Sequence, residues 1–182
     1  MASSAMVFRK AKWIGCKGGT SMTLAVGMTA PWLDVKLSNE NRAALDSVSR
    51  PWSVLMFWKP HCQASHAALQ ALELLYQGYG PDLPVIGIAQ DTQKGEGATF
   101  AQSLGVTFPI LDDAPNYEIS WLYDPLITPT LFVVDRKTLL VVDRLEAFDK
   151  IAFKTLSGTL AERFNRRDSV LLPVGSPDLV PG

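Results

Sequence analysis

SVLMFWKPHCQASHAALQALELLY, residues Ser53–Tyr76, reads as a strand, a turn and a helix with a cysteine at the junction. From Ser53 to Trp58 the residues are mostly apolar without polar alternation, the pattern of a strand buried on both faces of an α/β sheet. Lys59-Pro60-His61 ends the strand. Beyond it Ala68, Leu69, Leu72, Leu75 and Tyr76 recur at steps of three and four, one apolar stripe for a helix to lay on that sheet. Cys62 thus falls where the first helical N–H groups lack partners and the helix dipole is positive, a place that favours the thiolate, the attacking form. Two readings stand: a small apolar filler, since free cysteines are often buried, or a nucleophile. The position at the carboxyl end of a sheet strand, where α/β folds place chemistry, favours the nucleophile.

The residues around this cysteine carry a family resemblance. Phe57-Trp58-Lys59-Pro60-His61-Cys62-Gln63-Ala64-Ser65 resembles the Cys-X-X-Cys signature of thioredoxin-fold redoxins, above all the TlpA-like branch of the AhpC/TSA superfamily, with Ser65 in place of the second cysteine. Phe108-Pro109-Ile110-Leu111-Asp112 resembles the redoxin FPxLxD segment, and Thr128 to Asp135 the TPTxFxID segment that contains the family's cis-proline. The resemblance spans Val26 to Phe164. It implies an α/β thioredoxin-like fold, a central mixed sheet flanked by helices on both faces. It also implies Cys62 as the attacking thiol, with Trp58, Thr128 and Pro129 on the side that receives a partner.

Departures from the pattern shape the functional expectation. A dithiol enzyme attacks with its first cysteine and releases the partner when the second closes a disulfide; Ser65 cannot close it, although its hydroxyl can hydrogen-bond a thiolate. Peroxiredoxins of the same superfamily resemble a pattern with Thr or Ser three residues before the cysteine and an arginine near position 129, where this chain has Lys59 and Pro129. The expected function is therefore a monothiol oxidoreductase. It would react through Cys62 with a disulfide-containing protein or a small thiol such as glutathione, with no bound cofactor. A one-cysteine peroxidase and a binding module without turnover are the alternatives. His61 and His66 flank Cys62 and are candidate acids for a leaving thiol; the bland reading is that His61 only fills its turn and His66 faces water. Two histidines and one thiol without a fourth ligand at suitable spacing make a weak zinc signal, and no metal site is expected.

The rest of the chain sets limits. It has 182 residues, 47% hydrophobic and 19% charged, with 17 Lys plus Arg against 18 Asp plus Glu, so nothing electrostatic points to nucleic acid or an anionic membrane. Residues 1–21 read as a flexible extension without the apolar core of a signal peptide, which leans towards a cytoplasmic chain, while the resemblance admits an exported one. Cys16 in that segment either has no role or resolves Cys62. The domain is expected over residues 22–165.

Within it, an edge strand is expected over Trp32–Leu37, a short helix around Arg42–Val48 and a strand over Leu83–Ala89. Then come a helix over Ala98–Leu104, a short strand at Phe108–Leu111 and a helical turn at Asn116–Leu122. A hairpin of Thr130–Val134 and Leu139–Leu145 follows, and a last helix over Ile151–Phe164 with Ile151, Leu156, Leu160 and Phe164 inward. Residues 166–182 carry three prolines and read as a surface tail. Trp52, Trp58 and Trp121 are expected to pack the core. Asp112-Asp113 and Arg166-Arg167 are expected to be solvated.

Overall fold

The computed structural model describes residues 23–31, 51–91, 93–167, 172 and 175–182. The expected Trp32–Leu37 strand, the Arg42–Val48 helix and Cys16 lie outside them. The strand expected from Ser53 is β1, Trp52–Trp58, and it is central to a five-stranded sheet. On one side it pairs parallel with β2, Val85–Ala89, which pairs parallel with β3, Ile110–Asp112. On the other it pairs antiparallel with β4, Thr130–Asp135, which pairs antiparallel with β5, Val141–Glu146. The mixed sheet has the order β3-β2-β1-β4-β5. Alternation along β1 divides the core as strand geometry requires. Val54, Met56 and Trp58 pack with the helices of one layer, Leu55 and Phe57 with Tyr123, Phe132 and Leu24 of the other.

Helix α1, Gln63–Tyr79, buries Ala64, Ser65, Ala68, Leu69, Ala71, Leu72 and Leu75 against the first face. Helices α2, Glu96–Ser103, and α3, Glu118–Tyr123, follow the second and third strands. Helix α4, Lys150–Arg163, covers the same face as α1 through Phe153, Leu156 and Leu160. Ile151 is 75% exposed, against expectation. Asp149 caps this helix by accepting from Ile151 N and Ala152 N, which sets its phase, and Ile151 lies about half a turn from Phe153. No helix among the described residues is long and apolar enough to cross a membrane.

Three further expectations are corrected. The β5 strand starts at Val141 because Leu139 has φ 58°, which takes it out of the extended ladder. The described residues of 166–182 are packed on the fold instead of lying over its surface as a tail. Leu179–Val180 forms β7, antiparallel to β6, Phe148–Asp149, and Leu172 and Val180 pack against the core. Arg166 is not a solvated helix end either. Its guanidinium sits 4.9 Å over the Tyr79 ring, pairs with Asp82 at 3.2 Å and donates to the Gly78 carbonyl, joining the ends of α4 and α1. The burial of Tyr79 raises its phenol above 10.0, an effect that Arg166 opposes.

The turn between β4 and β5 depends on Asp135. Its carboxylate accepts from Lys137 N and Thr138 N, both at 2.9 Å, and from the Thr138 hydroxyl at 3.1 Å. Burial pushes this acid up, but these bonds and one from Trp52 outweigh burial and hold it below its ordinary 3.8. A depressed carboxyl stabilises the fold above its unfolded-state value, and that contribution disappears as pH falls through the folded-state value. Asp135→Ala is therefore expected to lower stability near neutral pH by about 1–2 kcal/mol. The deficit should shrink as pH falls below the ordinary carboxyl value of about 4. Urea unfolding of both chains across that range measures it, and a pH-independent deficit would refute the assignment.

Candidate active site

Cys62 is the N-cap residue of α1, with φ −101° and ψ 116°, and its side chain caps no N–H. The residue is half-buried. Its Sγ donates to the Thr128 carbonyl oxygen at 3.3 Å, so the turn before β4 faces the thiol. The Thr128–Pro129 peptide is cis. Pro129 itself is buried, and its carbonyl accepts from Ala147 N, so the open part of the turn is the half-buried Thr128.

Sequence reasoning also placed Trp58, Ser65 and His61 at this site, and the structure treats them differently. Trp58 is fully buried and stacks on Phe100 at 5.9 Å, so it cannot meet a partner. The reason is its place on β1, where it shares the α1 side with Val54 and Met56. Its Nε1 is buried without a hydrogen-bond partner. Ser65 is also fully buried, and its hydroxyl accepts from Lys59 N at 3.2 Å. The serine thereby ties the Lys59–Cys62 turn to the first turn of α1. His61 is exposed on that turn. The His66 ring faces the Pro60 carbonyl at 2.5 Å and packs on Phe100, so its hydrogen bond is made to the turn.

The Lys59 ammonium is held in a 2.7 Å pair with Asp91. Asp91 also accepts from the Tyr117 hydroxyl at 2.8 Å, and the Lys59 and Tyr117 bonds hold its carboxyl below the ordinary value. Both ends of the ion pair are more than two-fifths exposed, so solvent screens it and it adds little stability. Asp112 and Asp113, expected to be solvated, are bonded instead. Asp112 accepts from Gly95 N and Gly97 N, and the buried Asp113 accepts from Ile119 N and Ser120 N at the start of α3.

One buried polar residue escaped the sequence reading. Gln90, at the end of β2, is 8% exposed, donates to the Ser120 hydroxyl at 2.8 Å and accepts from the Thr128 hydroxyl at 3.2 Å. The only signal for it was a single amide closing an apolar strand at the edge where α/β sheets carry sites. Gln90→Ala leaves two hydroxyls without these partners and is expected to cost about 1–3 kcal/mol in urea unfolding. A loss below about 0.5 kcal/mol would mean that water replaces the amide at no cost.

A strand-turn-helix bearing one cysteine, with a Thr-Pro turn against its sulfur, sits in a region whose sequence matches the AhpC/TSA family model over residues 26–142, more than half of the chain. The chain belongs to the AhpC/TSA family. Solved structures share its fold. A candidate thiol:disulfide interchange protein DsbE from Chlorobium tepidum superposes with a TM-score of 0.63 at 19% identity, covering 77% of this chain and 98% of its own. A candidate protein disulfide isomerase from Bacteroides thetaiotaomicron gives 0.60 at 22% identity, covering 79% and 92%. A thioredoxin-like protein from Parabacteroides distasonis gives 0.58 at 16% identity, covering 76% and 96%. At these identities the likeness is one of fold, and this AhpC/TSA chain is thioredoxin-like. No curated protein matches it by sequence.

Proposed function

We propose that this AhpC/TSA chain is a monothiol thiol-disulfide oxidoreductase in which Cys62 exchanges with disulfides of a protein or of a small thiol such as glutathione. The observation that carries the reading is the half-buried Cys62 Sγ at the start of α1, 3.3 Å from the Thr128 carbonyl. Cys62 is the N-cap residue of α1, and a helix start, with its open N–H groups and positive dipole end, favours a nearby anion. Thr128 offers backbone to an extended partner beside it.

In the first step the Cys62 thiolate attacks one sulfur of R–S–S–R′. The Cys62–S–S–R bond forms, the S–S bond of the partner breaks, and R′ leaves as a thiolate that takes a proton from solvent. In the second step an outside thiolate R″S⁻ attacks the sulfur bonded to R; the R–S–S–R″ bond forms, the bond to Cys62 Sγ breaks, and Cys62 leaves as the thiolate it began as. Electrons pass only between thiols and disulfides. The Ser65 hydroxyl cannot attack Cys62 Sγ to expel the partner, so the mixed disulfide persists until an outside thiol arrives.

Incubation with oxidised glutathione, followed by intact-mass measurement and peptide mapping, tests the proposal. The expected product is one glutathionyl group on Cys62, removed by an added thiol. Rapid conversion of Cys62 to a sulfenic acid by a stoichiometric peroxide pulse, with no disulfide adduct, would establish the peroxidase alternative instead. Inertness to both reagents would leave a binding module.

A further inference from the structure

Gln90 stands between the two halves of the site and takes no part in the exchange steps. Its backbone N–H donates to the Trp58 carbonyl at 2.8 Å, at the end of the strand that leads into the Cys62 turn. Its side-chain oxygen accepts from the Thr128 hydroxyl at 3.2 Å, and the Thr128 carbonyl accepts from Cys62 Sγ at 3.3 Å. One buried residue therefore joins the strand before the cysteine to the turn that faces its sulfur.

The other end of the amide is anchored too. Gln90 Nε2 donates to the Ser120 hydroxyl at 2.8 Å, and Ser120 N donates to the buried Asp113 carboxylate at 2.7 Å. Helix α3 offers this serine because Ile119 and Tyr123 take its sheet side, which leaves Trp121, expected in the core, 76% exposed. A buried amide bonded at both ends is fixed in place, and so is the Thr128 hydroxyl that it holds. Only the stiff χ1 of a β-branched side chain separates that hydroxyl from the Thr128 backbone, so holding the one restricts where the carbonyl points. A carbonyl oxygen opposite the sulfur suits the thiol, which gives it a hydrogen, and opposes the anion, which meets its lone pairs.

We infer that Gln90 is a positioning residue for Cys62: through the Thr128 hydroxyl it keeps the Thr128 carbonyl opposite the sulfur, and so restrains attack by the resting thiol. The inference rests on the exchange reading for the reaction that is restrained, and extends it to a residue that does not touch the sulfur.

The test follows the full chain at neutral pH with iodoacetamide and with oxidised glutathione, and peptide mapping counts Cys62 apart from Cys16. Iodoacetamide is small and uncharged; the S–C bond forms, iodide leaves, and the rate reports how freely the sulfur attacks. Gln90→Leu is of similar size and makes neither side-chain bond. It is expected to raise the alkylation rate about fivefold, the factor carried by one hydrogen bond of ordinary net strength. Thr128→Val removes the same bond from its other end while keeping the branched shape, and is expected to match that gain; it keeps the inference testable if the Gln90→Leu chain does not fold. The double variant is expected to be no faster than either single one, because all three lack the same bond. Asp135→Ala, at the far end of β4, weakens the fold without touching Thr128 and is expected to leave the rate unchanged. Single variants no faster than the unaltered chain, a double variant with the product of the two gains, or an equal gain in Asp135→Ala would each overturn the role of Gln90 and leave the exchange reading intact. A glutathione adduct absent from the unaltered chain would overturn the exchange reading, and the alkylation rates would by themselves still decide what Gln90 does.

Discussion

A Cys62→Ser chain is expected to lose the fast disulfide exchange of residue 62, leaving Cys16 as its one thiol, and at the same time to be more stable than the unaltered protein. The two effects have different origins. Disulfide exchange needs a thiolate, and a serine hydroxyl at this place is not ionised and does not attack sulfur. For stability, the residue is the N-cap of a 17-residue helix and already has the extended backbone of that position, yet its side chain satisfies none of the open N–H groups. A serine oxygen accepts such a bond readily and can still donate to the Thr128 carbonyl that Sγ now engages. The gain is about 1 kcal/mol, equivalent to a rise of about 2–4 °C in Tm for a chain of this size. Scanning calorimetry and intact-mass analysis after exposure to oxidised glutathione read the two effects separately. A Cys62→Ser chain that forms the adduct as fast as the unaltered chain would place the reactive thiol at Cys16. A fall in Tm would show that the sulfur contributes packing or a bond that a hydroxyl cannot replace.

How much of this architecture was legible beforehand can be argued residue by residue. β1 and α1 were readable because their burial is extreme. An apolar run without alternation has one solution in an α/β sheet, and Leu69, Leu72 and Leu75 on one stripe have one face to bury. The nearness of Thr128 to Cys62 was expected from the family resemblance, not from spacing, because 66 residues separate them. What could not be read depends on phase or on brevity. Helix α3 has six residues, too few for its period to say which side Trp121 takes. β6 and β7 have two residues each and show no alternation at all. Ile151 looked inward until the Asp149 cap set where α4 begins. Trp58 was read as core packing from its place on the central strand and as a partner-side residue by resemblance, and its burial on β1 favours the first.

The second large effect concerns Ser65, and it is a gain. In the unaltered chain the Ser65 hydroxyl is buried and accepts from Lys59 N, while Cys62 is the only cysteine among the described residues. Ser65→Cys puts a thiol three residues after Cys62, on the adjacent turn of the same helix, where side chains at this spacing are neighbours. Once Cys62 carries a partner, the new thiolate attacks Cys62 Sγ. A disulfide forms between Cys62 and the introduced sulfur, the partner leaves as its thiol, and the partner's disulfide has been reduced by the pair. Intramolecular attack in good alignment has an effective concentration far above that of any added thiol, so the adduct should decay at least about a hundredfold faster than in the unaltered chain. The cost is the Lys59 N–H bond, about 1 kcal/mol, because sulfur is a weak acceptor. Adduct lifetimes by quenched mass spectrometry, with Tm measured alongside, decide the matter. If the variant folds and still holds its partner as long as the unaltered chain does, the two sulfurs do not meet, and the persistence of the adduct is not due to Ser65. If the adduct collapses as expected, the identity of residue 65 alone determines whether this AhpC/TSA chain releases a partner or retains it.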